Sequence, residues 1–179
     1  MPVVITRSAD RVELTTHLTY NKVGRIKSTE DENGQVTSLE YDTRGRPTKT
    51  TLPSGLAVEK IYRDFRPSPS TGHGQHVSIV ARHKDTEGNV VSEEAIHVDG
   101  LGREIQSSVS GAHGYISTST VYNAKGQPVT IIGPYATNTM DFVDAPQGPM
   151  QTFVYDDKGR IARITDDDAS TTCSYIGLL

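Results

Sequence analysis

The six residues Tyr41-Asp42-Thr43-Arg44-Gly45-Arg46 decide the fold of this chain, because the same phrase returns along the sequence. Each copy has Tyr or another large residue, then Asp or Asn, two variable residues, Gly, and usually Arg. The other clear copies are Tyr20-Asn21-Lys22-Val23-Gly24-Arg25, Val98-Asp99-Gly100-Leu101-Gly102-Arg103, Tyr122-Asn123-Ala124-Lys125-Gly126-Gln127 and Tyr155-Asp156-Asp157-Lys158-Gly159-Arg160. A fixed phrase that recurs at intervals indicates a repeat architecture.

The interval between copies gives the size of one repeat. Tyr20 to Tyr41, Tyr41 to Tyr62 and Tyr62 to His83 each span 21 residues, with degenerate phrases at Tyr62 and His83. The later intervals, which end at Tyr175, are irregular at 15, 24, 33 and 20 residues. About 21 residues accommodate two strands and two turns but are too few for a helix pair. Each repeat is therefore predicted to be one β-hairpin.

Strand patterns fill the intervals. Between Val12 and Tyr20 apolar and polar residues alternate with a period of two, which is typical of a half-buried strand. Asn33-Gly34, Ser54-Gly55 and Gly88-Asn89 lie between strands, where tight hairpins need a positive φ. No stretch has a sustained helical period, so little or no helix is expected. The predicted fold class is all-β, an array of antiparallel β-hairpins. Further strands are predicted at 35–41, 56–62, 77–83, 90–98, 116–122, 151–155 and 171–175.

Each residue type of the phrase has a role in a hairpin. The Tyr is expected to be largely buried, because its ring brings a large apolar area. The Asp or Asn nucleates the turn by bonding nearby amides, and the Gly adopts a conformation that is costly for other residues. The Arg is expected to reach a carboxylate of a neighbouring turn. These structural repeat residues are Tyr20, Gly24, Arg25, Tyr41, Asp42, Gly45, Arg46, Asp99, Gly102, Arg103, Tyr122, Gly126, Tyr155, Asp156, Gly159 and Arg160.

Composition and organisation narrow the class of protein. The 179 residues suit one domain, and 34% hydrophobic residues favour a sheet with one wet face. A net charge of −4 and scattered basic residues argue against nucleic-acid binding, and no run is long enough for a membrane helix. We predict a single segment, 1–179, with surface loops at 66–74 and 133–150. Because the chain opens in a strand pattern and ends after a repeat, we expect a fragment of a longer protein.

Residues that could carry chemistry do not form a set. His76 and His83 are seven apart on a strand, so they point to opposite faces, and no ligand set accompanies them. Asp166-Asp167-Asp168 lacks the spacing of a calcium loop and is predicted to be an exposed turn. Cys173, the only cysteine, has no flanking base, so an inert thiol is expected. We predict no catalytic residue, no cofactor and no metal, and therefore no enzyme.

The phrases at 41–46 and 155–160 resemble the YD repeat of the Rhs/YD-repeat superfamily, which includes bacterial polymorphic toxins and animal teneurins. The segment 98–106, followed by 122–128 and 133–135, is most similar to the B component of insecticidal toxin complexes and to SpvB-like proteins. The resemblance covers roughly residues 12–177. It implies a large spiral β-sheet that closes into a hollow shell. Many members cleave themselves at an Asp-Pro-x-Gly motif, but this chain has no Asp-Pro pair.

The resemblance also implies a role. The chain is expected to be a structural segment of a shell that encapsulates a toxin polypeptide, in a secreted bacterial toxin that acts in virulence. Its partners would be further YD repeats of the same protein or partner toxin subunits, with no nucleic acid and no membrane span. The alternative is a cell-surface module whose loops bind a carbohydrate or a protein. Either role places the protein outside the cell, secreted or at the cell surface.

Overall fold

The computed structural model describes residues 3–9, 12–67 and 75–175. Within these residues the chain forms strands and turns and no helix, which confirms the all-β prediction. It follows that the described residues contain no helix long and apolar enough to cross a membrane. The strands are β1 (Val3–Ala9), β2 (Val12–Tyr20), β3 (Ile26–Glu30), β4 (Val36–Tyr41), β5 (Pro47–Thr51), β6 (Ala57–Pro67), β7 (Gln75–Lys84), β8 (Val90–Val98), β9 (Glu104–Gly111), β10 (Gly114–Tyr122), β11 (Pro128–Thr137), β12 (Met150–Tyr155), β13 (Ile161–Thr165) and β14 (Ser170–Thr172).

The strands lie in one open antiparallel sheet in the order of the sequence. The five clear copies of the phrase form the turns β2–β3, β4–β5, β8–β9, β10–β11 and β12–β13. This order follows from the repeat, because a chain of short hairpins places each strand beside the next one. A lone hairpin is marginal in water, so each hairpin depends on the strands at its sides.

Every clear copy of the phrase is accompanied by a β-bulge, which lies in the return strand of the hairpin and which the sequence did not predict. Thr19 lies opposite Ser28, but Tyr20 lies opposite Ile26, so Lys27 is the extra residue of the return strand. The same shift precedes the turn in the other four copies. A bulge bends the strand and takes main-chain groups out of the regular ladder.

The chain divides into two compact units, which are described separately. The first holds the described residues of Met1–Ile61 and Ala81–Glu93, and its buried apolar side chains are Leu18, Ala57 and Ala81. The second holds those of Tyr62–Val80 and Glu94–Leu179, and it buries Val80, Ala95, Ile105 and Tyr135. Buried polar side chains occur only in the second unit among the described residues, at His76, Ser78, His97, Gln106, Ser108, Ser117 and Ser119.

Two predicted boundaries were wrong. The degenerate phrase at Tyr62 forms no turn, because β6 continues to Pro67. The predicted loop 133–150 begins as strand, because β11 runs to Thr137 and bonds to β10 through Tyr135 and Ala136. The predicted loop 66–74 lies outside the described residues except for the last two residues of β6. The prediction of a single segment concerns the whole protein and stays a prediction.

Candidate functional site

The turn of the phrase is held by its first polar residue and its glycine. In the copy at 41–46, the main-chain N–H of Arg46 donates to Asp42 Oδ1 at 2.9 Å, and that of Gly45 donates to the Asp42 carbonyl at 3.0 Å. Gly45 has a φ of 84°, a conformation that other residues adopt at a cost. The same five-residue turn recurs at Asn21, Asp31, Asp85, Asp99, Asn123 and Asp156. Both ends of the hairpins therefore use one type of turn.

The arginine that closes the phrase pairs with the aspartate of its own turn. Arg103 Nη2 lies 2.6 Å from Asp99 Oδ2, and equivalent pairs join Arg46 to Asp42 and Arg160 to Asp156 at 2.7 Å. The prediction placed the carboxylate partner in a neighbouring turn, whereas the carboxylate in these pairs belongs to the same turn, four residues earlier in the chain.

These contacts stabilise the ionised aspartates. For Asp42 the amide of Arg46, ahead of its guanidinium, holds the carboxyl pKa below its ordinary value. For Asp99 burial raises the pKa, but the hydrogen bonds from Arg103 and from nearby amides outweigh it, so that the net pKa is lowered. The amide of Arg160 lowers the pKa of Asp156 in the same way. Each turn is therefore most stable with its aspartate charged.

Four tyrosines, Tyr41, Tyr122, Tyr155 and Tyr175, each connect one hairpin to the hairpin before it. Its hydroxyl donates to the carbonyl of the residue that precedes the bulge in the earlier hairpin. Tyr41 bonds to the carbonyl of Ile26 at 2.8 Å. The equivalent bonds are Tyr122 to Glu104 at 2.9 Å, Tyr155 to Pro128 at 2.7 Å and Tyr175 to Ile161 at 2.9 Å. We call this series of bonds the tyrosine ladder.

Three of the arginines that close a phrase pack on the tyrosine of the next hairpin. The guanidinium carbon of Arg103 lies 4.7 Å from the Tyr122 ring centre, and that of Arg160 lies 4.0 Å from the Tyr175 ring centre. Arg25 lies 5.9 Å from Tyr41, and its guanidinium occupies the space that a Cβ at Gly45 would need. Such cation–π contacts contribute about 0.5–1 kcal/mol at exposed sites. The phrase residues therefore act in sets that span two hairpins.

Tyr20, Tyr41, Tyr122 and Tyr155, which were predicted to be largely buried, are half-buried and none is fully enclosed. Tyr175, the last tyrosine of the ladder, is 48% exposed. The rings of Tyr41, Tyr122 and Tyr175 each have the arginine of the preceding phrase beside them. The ladder tyrosines therefore stabilise the sheet mainly through a hydrogen bond and, where an arginine is adjacent, a cation–π contact, and less by filling a core.

A second arrangement lies in the second unit, under residues 138–149, which connect β11 to β12 and which we call the strap. Opposite positions of antiparallel strands share a face of the sheet, and His97, Gln106 and Ser119 lie in such a row. The strap lies against this row. Val143 donates its N–H to Gln106 Oε1 at 2.9 Å, and Gln106 Nε2 bonds to the Val143 carbonyl at 3.2 Å. Gln106 thus pairs with the strap as a strand would.

The buried polar groups under the strap bond to one another. Gln106 Nε2 lies 2.8 Å from Ser119 Oγ and 2.7 Å from the Tyr135 hydroxyl, and Ser108 and Ser117 share a hydroxyl bond of 2.7 Å. Burial raises the pKa of Tyr135, although its bonds to Ser119 and Gln106 act in the opposite direction. We call this set, together with Ser78, His76 and His97, the polar layer. Its groups are desolvated, and their mutual bonds offset that cost.

Ser78 and His97 have the contacts of a nucleophile–base pair. His97 Nε2 lies 3.0 Å from the Met140 carbonyl oxygen, which only accepts, so the neutral ring donates there. Its Nδ1 then accepts from Ser78 Oγ at 2.8 Å. However, Ser78 is 3% and His97 is 1% exposed, and burial lowers the pKa of His97 to about 4. A buried serine and a weak base do not suit acyl transfer, so the pair is best explained as part of the packing.

The remaining candidates from the sequence are dispersed. No cluster of three metal-ligating side chains occurs within the described residues. Asp166 and Asp167 instead accept hydrogen bonds from Gln151 Nε2 and from the Met150 amide. Cys173 is half-buried and lies just after β14. The polar layer was missed in the sequence, although the signal was present as Ser, His and Gln at alternate positions of β8, β9 and β10, where apolar residues would be usual.

Comparison with known proteins agrees with the repeat. Residues 20–57 match the family model described as RHS Repeat, which agrees with the resemblance of the repeated phrase to the YD repeat. No curated protein matches the chain significantly.

A chain of the crystal structure of TcdB2-TccC3 is 16% identical, with a TM-score of 0.60, over 84% of this chain and 10% of that chain. Chains of the Photorhabdus luminescens Tc holotoxin pore and of TcdB2-TccC3-TEV are 14% and 15% identical, with TM-scores of 0.45, over 89% and 92% of this chain and 10% of theirs. The TcdB2-TccC3 match shows a shared fold. The chain spans about a tenth of the length of these structures.

Proposed function

We propose that this chain is a wall segment of a YD-repeat shell in a secreted toxin complex, with no catalysis of its own. The observation that carries the proposal is the tyrosine ladder, in which four tyrosine hydroxyls each bond to the main chain of the preceding hairpin. Such contacts need only a neighbouring hairpin and no ligand. They suit an array whose product is an extended wall.

The fold shared with TcdB2-TccC3 supports this role. By analogy with that assembly, the wall would help to enclose a toxin polypeptide, and its partners would be further YD repeats or a second toxin subunit. The extracellular location and the absence of catalysis are part of the same proposal. The burial of Ser78 and His97, which carry the strongest catalytic geometry in the described residues, supports it.

A wall segment taken alone has two edges that its neighbours would cover. β1 and β14 are the outer strands of the sheet, and uncovered edges recruit other strands. The chain should therefore self-associate with increasing concentration in sedimentation velocity measurements. Val4→Lys, at a residue of the outer strand β1 that is 53% exposed, should weaken this association. Val91→Lys, at a residue of the inner strand β8 that is 64% exposed, should not. A monomer at all concentrations, or equal effects of the two variants, contradicts the wall.

The alternative, a cell-surface binding module, is separated by its need for a ligand. A ligand that binds only the folded state raises the melting temperature. We expect no shift on a panel of glycans and no fall with a chelator. A shift of several degrees with one defined sugar, removed by a substitution in a loop, favours the binding module instead.

A further inference from the structure

His97 is one of the groups that attach the strap to the sheet. Its Nε2 bonds to the Met140 carbonyl, and its ring lies 5.6 Å from the ring centre of Phe142 at 64°. His76 packs on the same phenyl ring at 4.7 Å. Other attachments include an ion pair of Arg63 with Asp141, the two bonds of Gln106 with Val143, and the bond from the Gly133 amide to the Pro149 carbonyl.

The groups that face His97 come from every element packed against it. β7 supplies Ser78 and the ring of His76, 5.5 Å away at 69°, and β9 supplies the neutral Gln106. The strap supplies Asp141, and its ion-pair partner Arg63 comes from β6. The charges of His76 and Arg63 oppose a positive His97, and that of Asp141 favours it.

We propose that the strap is an acid-released cover of the sheet, in which protonation of the buried His97 detaches residues 138–149 and exposes the polar layer. Both ring nitrogens of His97 keep acceptors when it is charged, because Ser78 Oγ can accept as well as donate. The release therefore comes from placing a charge in a dry site beside a second histidine, and not from the loss of a hydrogen bond.

The sign and size of the effect follow from the two environments. Burial, together with His76 and Arg63, lowers the pKa of His97 from 6.5 to about 4 in the closed state. An open strap returns it to its ordinary value. Closing is therefore undisturbed above about pH 6.5 and becomes less favourable as the pH falls towards 4. At pH 5 the opening equilibrium should exceed its value at pH 8 by about 30-fold.

The amide of Val143 reports on the release, because its only partner in the closed state is the Gln106 side chain. We would measure its hydrogen exchange between pH 8 and pH 4.5, and divide by the exchange of a free peptide of residues 138–149 at each pH. The expected result is a protection factor that falls about 30-fold by pH 5, while amides at the centre of β10 keep theirs. Loss of protection in β10 in parallel would mean global unfolding and would overturn the proposal.

Two variants and one titration complete the test. His97→Gln keeps a donor for the Met140 carbonyl and cannot be charged, so its Val143 protection should not depend on pH. His113→Gln removes an exposed histidine from the β9–β10 turn and should behave as the wild type. If His97→Gln does not fold, imidazole NMR of the wild type decides. A His97 that titrates near 6.5, or an exchange midpoint unrelated to its titration, contradicts the release.

Discussion

Removal of a single hydroxyl from the tyrosine ladder is the most direct test of how the hairpins are coupled. Tyr155→Phe removes the 2.7 Å bond to the Pro128 carbonyl and leaves the ring in place. Because Tyr155 is half-buried, water can reach the freed carbonyl, so the loss should be about 1 kcal/mol. Tyr155→Ala also removes the ring. Full burial of an aromatic ring would make that loss about 3–5 kcal/mol, so a half-buried ring should give about 2–3 kcal/mol.

The assay is urea unfolding followed by far-UV circular dichroism, with Val154→Ala as the matched control. Val154 is the neighbouring residue of β12 and is 53% exposed, so its truncation should cost about 0.5 kcal/mol or less. Tyr122→Phe, which breaks the bond to the Glu104 carbonyl, should reproduce the loss of Tyr155→Phe. If both Tyr→Phe variants match Val154→Ala, the hydroxyl bonds do not couple the hairpins and the ladder has no energetic meaning.

Three further predictions concern the turns and the polar layer. Gly45→Ala and Gly24→Ala both place a side chain at a positive φ, 84° and 81°, so each should lower the free energy of unfolding by about 1 kcal/mol. Gly45→Ala should lower it by about 0.5 kcal/mol more, because the added Cβ displaces Arg25 from Tyr41. Urea unfolding measures both losses. The pKa values of Asp42, Asp99 and Asp156 are lowered in the folded protein, so these aspartates stabilise the fold above about pH 4. This stabilisation is lost as the pH falls below the ordinary pKa of 3.8. Melting temperatures measured from pH 5 to 2.5 should show the loss, and the loss should be smaller in Asp99→Asn. Gln106→Met should cost about 2–4 kcal/mol, because it leaves the Val143 amide without its partner in a buried site, whereas Lys125→Met in an exposed turn should cost about 0.5 kcal/mol or less by the same measurement.

The repeat could be predicted because it depends on local chemistry. An Asp or Asn followed three residues later by Gly folds into its turn with contacts inside five residues, as at Asp42 and Asp156. The strand that precedes each phrase therefore ends where the sequence indicates. For β8 both predicted boundaries, Val90 and Val98, agree with the structure.

Contacts between hairpins could not be predicted in the same way. The Tyr155 hydroxyl bonds to the main-chain carbonyl of Pro128. Every residue has such a carbonyl whatever its side chain, so the sequence does not mark Pro128 as the partner. No particular residue type signals the bulge at Lys27 either, so its position could not be predicted from the sequence. The arginine was assigned to the wrong carboxylate because a side chain of that length reaches both its own turn and the next.

The strap shows why the departures from the repeat carry the most information. Where the interval between phrases is 21 residues, the two strands and two turns of the hairpin use all of them. No residues are left there to cover a face of the sheet. The 33-residue interval from Tyr122 to Tyr155 leaves enough chain for residues 138–149 to cover the sheet. A cover that only hid the sheet would need apolar partners, which tolerate small shifts. The partners here are His97 and Gln106, at 1% exposure each, and their directional bonds fix one position of the strap and make its closure depend on protonation. An apolar contact has no such dependence, so the polar partners are what couple the position of the strap to pH.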